Sequence, residues 1–176
     1  MKKIRLYIIG IIAVAISSCM KDDRVTFTDT VFEWDAGINA RAAGVDYPIL
    51  TRVPAYNKVV TNADPLITRT SGTIKFRINL VGPQRSTPTT VTYQALQLTP
   101  NTATPLIQPA VAGTHYTITG SCVVPANSSF GEAEVAILNP GVSSTISRDI
   151  VLEILSTSDV KPSENYKRLG IRIAEN

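Results

Sequence analysis

From about residue 71 to the C-terminus, the chain consists of short segments in which apolar and polar residues alternate. In the clearest segment, "GTIKFRINL", every second residue is apolar: Ile74, Phe76, Ile78 and Leu80, with Lys75, Arg77 and Asn79 between them. Successive side chains of a β-strand point to opposite faces of a sheet, so this pattern predicts a strand with one buried face. The same alternation appears in "VTYQALQL", "GEAEVAIL", "DIVLEIL" and "LGIRI", and "HYTI" and "SCVV" are shorter candidates.

The segments between these predicted strands are rich in residues that favour turns. They include "VGPQRSTPTT", "TPNTATP", "VPANSSFG" and "NPGVSS", in which proline, glycine, asparagine and serine recur. Proline fixes φ, and these residue types reverse the chain direction and rule out long helices. Short strands separated by turns predict an all-β fold, an immunoglobulin-like antiparallel β-sandwich of about seven strands.

Residues 25–70 have a less regular pattern. "VTFTDTVFEWD" contains a plausible strand with Phe32 and Trp34 on one face, and a long stretch with scattered apolar residues follows it. Such a stretch is expected to pack against a domain rather than to form a free linker. We therefore predict that residues 25–70 form a strand and a long connection packed on a sandwich made by residues 71–176.

The N-terminus carries the features of a secretory signal. A basic start is followed by the apolar run "LYIIGIIAVAI", which is shorter than the about 20 residues that span a bilayer. Two serines then precede Cys19, and "ISSC" resembles the bacterial lipobox. This resemblance implies that a signal peptide, residues 1–18, is removed and that the Cys19 thiol is acylated with a fatty acid such as palmitate. The alternative is an ordinary signal peptide with an incidental cysteine.

Charged residues follow directly after this cysteine. In "CMKDD", Lys21 precedes Asp22 and Asp23, and this resembles the export signal that sends Bacteroidota lipoproteins to the outer face of the outer membrane. Residues 19–24 are then a lipidated tether, and the predicted location is the outer membrane, lipid-anchored and facing the cell exterior. The alternative is that these charges only keep a short tether solvated.

Removing residues 1–18 changes the charge of the chain. That segment holds three of the 17 basic residues and none of the 14 acidic ones, so 14 basic and 14 acidic residues remain. Nucleic-acid binding proteins carry a basic excess, so we expect no nucleic-acid partner. Acylation of Cys19 leaves Cys122 without a disulfide partner, and in the apolar run "CVV" we expect it to be a buried hydrophobic residue.

Several segments carry a resemblance to a known family. "KFRINLVGPQRS", "AGTHYTI", "VVPANSSFGEAEV" and "PSENYKRLGIRI" are similar to a family of Bacteroidota surface lipoproteins found beside Sus-type glycan-uptake systems. The C-terminal half also resembles the Calx-beta module, a two-sheet sandwich. His115 stands where the Calx-beta pattern usually has an aspartate, and "VAILNPG" lacks the expected acidic pair. Calcium prefers several carboxylate oxygens, so we assign no metal site.

Candidate catalytic residues are sparse. His115 is the sole histidine, and near a strand start it is expected to satisfy a backbone group rather than to act in a triad. Glu132 and Glu134 lie on one face of a predicted strand, roughly 6.5–7 Å apart along it, a spacing within the range of inverting glycosidases. The other interpretation, which we adopt, is the solvated face of an amphipathic strand. We therefore expect no enzyme activity and no cofactor.

Aromatic residues are the candidates for glycan contact. Trp34, Tyr47 and Tyr56 lie in the N-terminal region. Trp34 alternates with Phe32, so the alternative for Trp34 is a core residue, whereas Pro48 and Pro54 predict irregular backbone beside the two tyrosines. "DTV" resembles the O-glycosylation acceptor of the same bacterial phylum, with Thr30 as the modified residue.

These observations together predict a non-catalytic outer-membrane surface lipoprotein that acts as an accessory in glycan binding or uptake. The membrane contact is made through the lipid anchor, and the partner is a glycan or an outer-membrane protein. The alternative is a structural or adhesive module that binds protein partners at the cell surface.

Overall fold

The computed structural model describes residues 29–35, 45–55, 60–102, 107–157 and 159–176. Within these ranges it contains ten strands: β1 (Val31–Trp34), β2 (Ile49–Leu50), β3 (Thr73–Val81), β4 (Thr89–Ala95), β5 (Tyr116–Ile118), β6 (Ser121–Val124), β7 (Phe130–Ile137), β8 (Arg148–Ile154), β9 (Lys161–Pro162) and β10 (Arg168–Ile173). The first sheet has the order β5-β7-β3-β1-β9, and the second sheet has the order β2-β10-β8-β4-β6. The predicted all-β, immunoglobulin-like β-sandwich is confirmed.

The predicted alternation places the core between the two sheets. The apolar residues that the pattern assigned to an inner face of β3 and β7 are all buried: Ile74, Phe76, Ile78, Leu80, Ala133, Val135 and Ile137. Trp34 lies between the sheets and meets Tyr93 edge to face, with 5.6 Å between the ring centroids. Its indole N–H donates to the carbonyl of Lys167 at 3.1 Å, so the buried polar atom is satisfied.

Residues 25–70 contain the predicted strand, β1, and a second short strand, β2, and both strands pair within the sandwich. β1 lies between β3 and β9, and β2 forms the edge of the second sheet beside β10. The sheets are mostly antiparallel, as expected, and β1–β9 and β2–β10 are parallel pairs within them. β2 and β9 have two residues each, too few to show any period in the sequence.

No helix in the described ranges has the length and apolar character needed to cross a membrane.

Candidate functional site

The three aromatic candidates have different outcomes. Trp34 is 1% exposed, so its prediction as a glycan contact is wrong. Its ring lies on the inner face of β1, and alternation with Phe32 places both side chains in the core. Tyr56 lies outside the described residues. Tyr47 is partly exposed on the outer face of the second sheet, where it is the centre of a group of charged side chains.

Tyr47 occupies a niche on β10 that exists because residue 170 is glycine. A Cβ atom at Gly170 would lie 3.0 Å from Cε2 of Tyr47 and 2.9 Å from Cγ1 of Ile49, closer than side chains pack. Val151 on β8 pairs with Gly170. Because it alternates with core residues, its side chain belongs to the outer face, but it is nevertheless buried. This part of the outer face is therefore covered, and the tyrosine ring is fixed against the sheet.

Two arginines on β10 lie on either side of this niche. Arg168, Gly170 and Arg172 alternate with core residues, so they share the outer face. Four residues along a strand correspond to about 13 Å, with Gly170 at the midpoint. The tyrosine ring therefore lies between two guanidinium groups.

Carboxylates hold both guanidinium groups in place. Nε of Arg168 donates to Oε1 of Glu153 at 3.0 Å, and its Nη1 donates to Oδ2 of Asp46 at 3.4 Å. Arg172 forms a two-point pair with Asp149, in which Nε and Nη2 donate to the two carboxylate oxygens at 2.7 Å each. Planar two-point pairs of this kind fix the position of both groups.

The electrostatics of this site follow from burial and from the surrounding charges. Burial raises the pKa of the Tyr47 phenol, the charges of Asp149 and Asp46 raise it further, and Arg168 and Arg172 oppose the change. The phenol is therefore a neutral donor at physiological pH. We call Asp46, Tyr47, Asp149, Glu153, Arg168 and Arg172 the Tyr47 cluster. It offers an aromatic ring beside oriented donors and acceptors.

A cavity of about 300 Å³ adjoins this cluster at Asp149. Its wall is mostly apolar and comes from the segment after β4, the segment before β5 and the start of β8: Leu96, Gln97, Leu98, Pro109, Ala110, Val111, Ala112, Tyr116, Asp149 and Ile150. Both oxygens of Asp149 accept from Arg172, so the carboxylate in this wall is already paired.

A second concave surface lies beside the outer face of the first sheet, and it includes Glu132 and Glu134. Its volume is about 350 Å³, and its lining is Lys75, Val123, Pro125, Ser128, Phe130, Gly131, Glu132 and Glu134. We call it the Phe130 cleft. Phe130 is 37% exposed and Val123 is 52% exposed, so apolar surface faces water here. The sequence signal for this surface is Phe130, an aromatic residue on the side of the alternating strand β7 that otherwise carries polar residues.

Glu132 and Glu134 lie in this cleft and are paired with Lys75. The Lys75 ammonium is 3.0 Å from Oε2 of Glu132 and 3.8 Å from Oε1 of Glu134. The hydrogen bond and charge of Glu132, with the charge of Glu134, raise the pKa of Lys75. A glycosidase pair flanks a bound sugar with its two carboxylates, whereas both of these carboxylates contact the same ammonium group. This agrees with the interpretation as a solvated strand face.

His115 and Cys122 have the structural roles that were expected. Nδ1 of His115 accepts a hydrogen bond from the backbone N–H of Val111 at 3.0 Å, and the side chain is buried. Cys122 is buried on the inner face of β6, and burial raises the pKa of its thiol to about 11. A thiol of this kind is protonated and unreactive at physiological pH.

The remaining predicted residues are untested. Cys19, Lys21, Asp22 and Asp23 lie outside the described residues, so lipidation and export stay predictions. Thr30 lies directly before β1 and is partly exposed, and its glycosylation also stays a prediction. In the described part of the chain, no three histidine, cysteine, aspartate or glutamate side chains form a group that could hold a metal ion.

Comparisons with known proteins concern the fold. No protein-family model and no curated protein matches the chain. A two-domain protein with unknown function from Bacteroides fragilis is similar in structure at 10% identity with a TM-score of 0.50, and the match covers 83% of this chain and 45% of that one. At this identity the likeness shows the fold alone, and the chain spans less than half of that protein.

Two further solved structures match a smaller share of the chain. A candidate carbohydrate-binding protein from Bacteroides ovatus has 10% identity and a TM-score of 0.46, over 60% of this chain and 32% of that one. The Calx CBD1 domain in its apo form has 14% identity and a TM-score of 0.47, and the match covers 62% of this chain and 88% of that one.

Proposed function

We propose that this protein is a non-catalytic glycan-binding module and that the Tyr47 cluster is its binding site. The observation that supports this most is the tyrosine ring fixed over Gly170 between two arginines that carboxylates hold in place. A sugar ring presents an apolar C–H face and a rim of hydroxyl groups. An aromatic ring can pack against the C–H face. Guanidinium groups can donate hydrogen bonds to the hydroxyl groups, and carboxylates can accept hydrogen bonds from them.

Preorganisation supports this assignment. Side chains that are ordered before a ligand arrives lose less conformational freedom on binding. Arg172 and Asp149 are held by two hydrogen bonds of 2.7 Å, and Arg168 is held by carboxylates on two different segments of the chain. The polar groups therefore have fixed positions at which a ligand's hydroxyls would meet them.

The environment of the carboxylates supports binding without catalysis. Asp149 and Glu153 are paired with arginines, and Glu132 is paired with Lys75. Glycosidases place two carboxylates on opposite sides of a glycosidic bond, whereas these carboxylates contact cationic side chains of the protein itself. We therefore expect binding without turnover.

The test uses purified protein and immobilised cello-, xylo-, manno- and malto-hexaose. We expect at least one hexaose to bind, with affinity reduced at least tenfold in Tyr47→Ala and largely kept in Tyr47→Phe, which retains the ring. Val142→Ala is the control, because Val142 is 74% exposed and belongs to neither surface. Equal binding by Tyr47→Ala and the wild type would exclude the Tyr47 cluster. Capture of an outer-membrane protein with no glycan bound would favour the adhesive alternative.

The N-terminal sequence supports attachment of this module to the outer membrane. Acylation at Cys19 by two or more chains gives an anchor that is effectively permanent, since each buried CH₂ contributes about 0.8 kcal/mol. In Cys19→Ala, we expect unprocessed precursor or protein released from the membrane fraction. Normal recovery of this variant in the outer membrane would contradict lipidation.

The charged residues after Cys19 support display on the cell exterior. Replacing Lys21, Asp22 and Asp23 by alanine should leave acylation intact and retain the protein on the periplasmic side. Proteinase added to intact cells should then digest the wild type and spare the variant. Equal digestion of the two proteins would identify these charges as a tether only.

A further inference from the structure

The Phe130 cleft exists because two strands from different sheets approach each other at a glycine. A Cβ atom at Gly131 on β7 would lie 2.6 Å from the backbone oxygen of Val123 on β6. β6 belongs to the second sheet and β7 to the first, so this contact brings the sheets together at one edge. The wall formed by Val123 and Pro125 therefore stands beside the outer face of β7.

A neighbouring arginine fixes the aromatic ring in this cleft. The guanidinium carbon of Arg77 lies 3.9 Å from the centroid of the Phe130 ring. Arg77 is on β3 and Phe130 is on β7, and both residues alternate with core residues. The contact is a cation–π interaction that orients the ring while leaving Phe130 in the cleft lining.

Polar groups that can bind hydroxyls form the opposite side of the cleft. Lys75 on β3 places a donor between two acceptors, the carboxylates of Glu132 and Glu134 on β7. The volume of about 350 Å³ is within the range of about 300–1,000 Å³ for small-ligand sites. Its few exposed apolar side chains offer far less area than the more than 1,000 Å² of a stable protein interface.

The charges around both surfaces indicate the class of ligand. In the Phe130 cleft, Lys75 and the adjoining Arg77 balance Glu132 and Glu134. In the Tyr47 cluster, three carboxylates face two arginines, which leaves one negative charge in excess. Neither surface has the positive excess that attracts a polyanion.

We infer that the Phe130 cleft is a second glycan site, independent of the Tyr47 cluster, and that both sites take uncharged sugars. The inference rests on the proposed function, since it assigns the same ligand class to a second place. The two sites share no residue: the Tyr47 cluster lies on the outer face of the second sheet at β10, and the Phe130 cleft lies where β6 meets the outer face of β7. One molecule therefore binds two neutral glycan chains and bridges them.

The test is calorimetric titration of the full-length protein with the hexaose that binds, and with trigalacturonate as the acidic comparison. We expect two hexaoses per wild-type molecule, one in Tyr47→Ala, one in Phe130→Ala and none in the double variant. Phe130→Leu keeps the apolar volume without the ring and should behave as Phe130→Ala does. Val142→Ala is the matched control for an exposed apolar residue and should keep two.

A second measurement tests bridging directly. A neutral polysaccharide with the same backbone as the hexaose should become turbid with the wild type and stay clear with either single variant. One hexaose per molecule, lost in Tyr47→Ala and kept in Phe130→Ala, would overturn the second site and leave the proposed function standing. Absence of binding to every neutral hexaose would overturn both proposals. Tighter binding of trigalacturonate than of any hexaose would overturn the ligand class.

Discussion

The two outer faces of the sandwich carry the same kinds of charged side chains in different surroundings. On the first sheet, the side chains of Lys75 and Glu132 are 53% and 37% exposed. On the second sheet, Arg172 and Asp149 are 29% and 7% exposed. The difference arises because the segment before β2 covers the second sheet at Gly170. On a covered face the ion pairs are held in fixed positions, whereas on an open face they are solvated.

The largest effect is expected at the covered pair. Asp149→Ala removes the two-point partner of Arg172 and should lower the free energy of unfolding by about 2–3 kcal/mol, less than for a fully buried pair. Urea unfolding measures this as a lower midpoint at an unchanged slope. The double variant Asp149→Ala with Arg172→Met should recover part of the loss, because it leaves no charge without a partner. A shift below about 0.5 kcal/mol for Asp149→Ala would show that this face is as solvated as the other.

The two close-approach glycines give effects equal to that of Asp149→Ala or smaller. Gly131→Ala would meet a backbone oxygen at 2.6 Å, and we expect it to cost about 2–3 kcal/mol. Gly170→Ala would meet the side chains of Tyr47 and Ile49, which can move, and we expect about 1–2 kcal/mol. Gly170→Ala should also weaken hexaose binding at the Tyr47 cluster, and Gly131→Ala should spare it. The reverse pattern would contradict the assignment of the two surfaces.

Arg77 should have a smaller effect. Its contact with the Phe130 ring is partly exposed, and such cation–π contacts contribute about 0.5–1 kcal/mol. We expect Arg77→Ala to lower the free energy of unfolding by that amount and Arg77→Lys to lower it less. A double-mutant cycle with Phe130→Leu isolates the pair, and a coupling energy of zero would contradict the contact.

The smallest effect is expected at Lys75. Its ion pairs with Glu132 and Glu134 are open to water and screened by salt. We expect Lys75→Ala to leave the unfolding midpoint unchanged within error, at low salt and at high salt. A clear loss of stability in this variant would show that the first sheet's outer face is less solvated than its geometry indicates.

The strands could be predicted wherever their residues alternate over several positions. β3 and β7 have long alternating runs, and the burial of Phe76 and Val135 follows from that period alone. The two-residue strands β2 and β9 could not be found, because pairing with distant segments defines them. The parallel pairs were missed for the same reason.

The candidate site was predicted in part. Tyr47 was selected as an aromatic residue beside proline, but nothing local indicated that Arg168 and Arg172 would lie on either side of it. Trp34 was selected by its chemistry and turned out to be core, because alternation with Phe32 fixes its direction only once the buried face is known. Phe130 was missed, because its exposure depends on how β6 approaches β7.

The sequence by itself determined the all-β class, the inner faces of the long strands and the burial of Cys122, because a period of two and local apolar runs encode them. The tertiary structure alone decided which glycine receives Tyr47, which carboxylate pairs with which arginine, and where the two sheets meet at Gly131. Such contacts join residues that are far apart in the sequence; Asp46 and Arg168, for example, are more than a hundred positions apart. No local pattern encodes them, because they depend on the order and register of strands in the folded sheets.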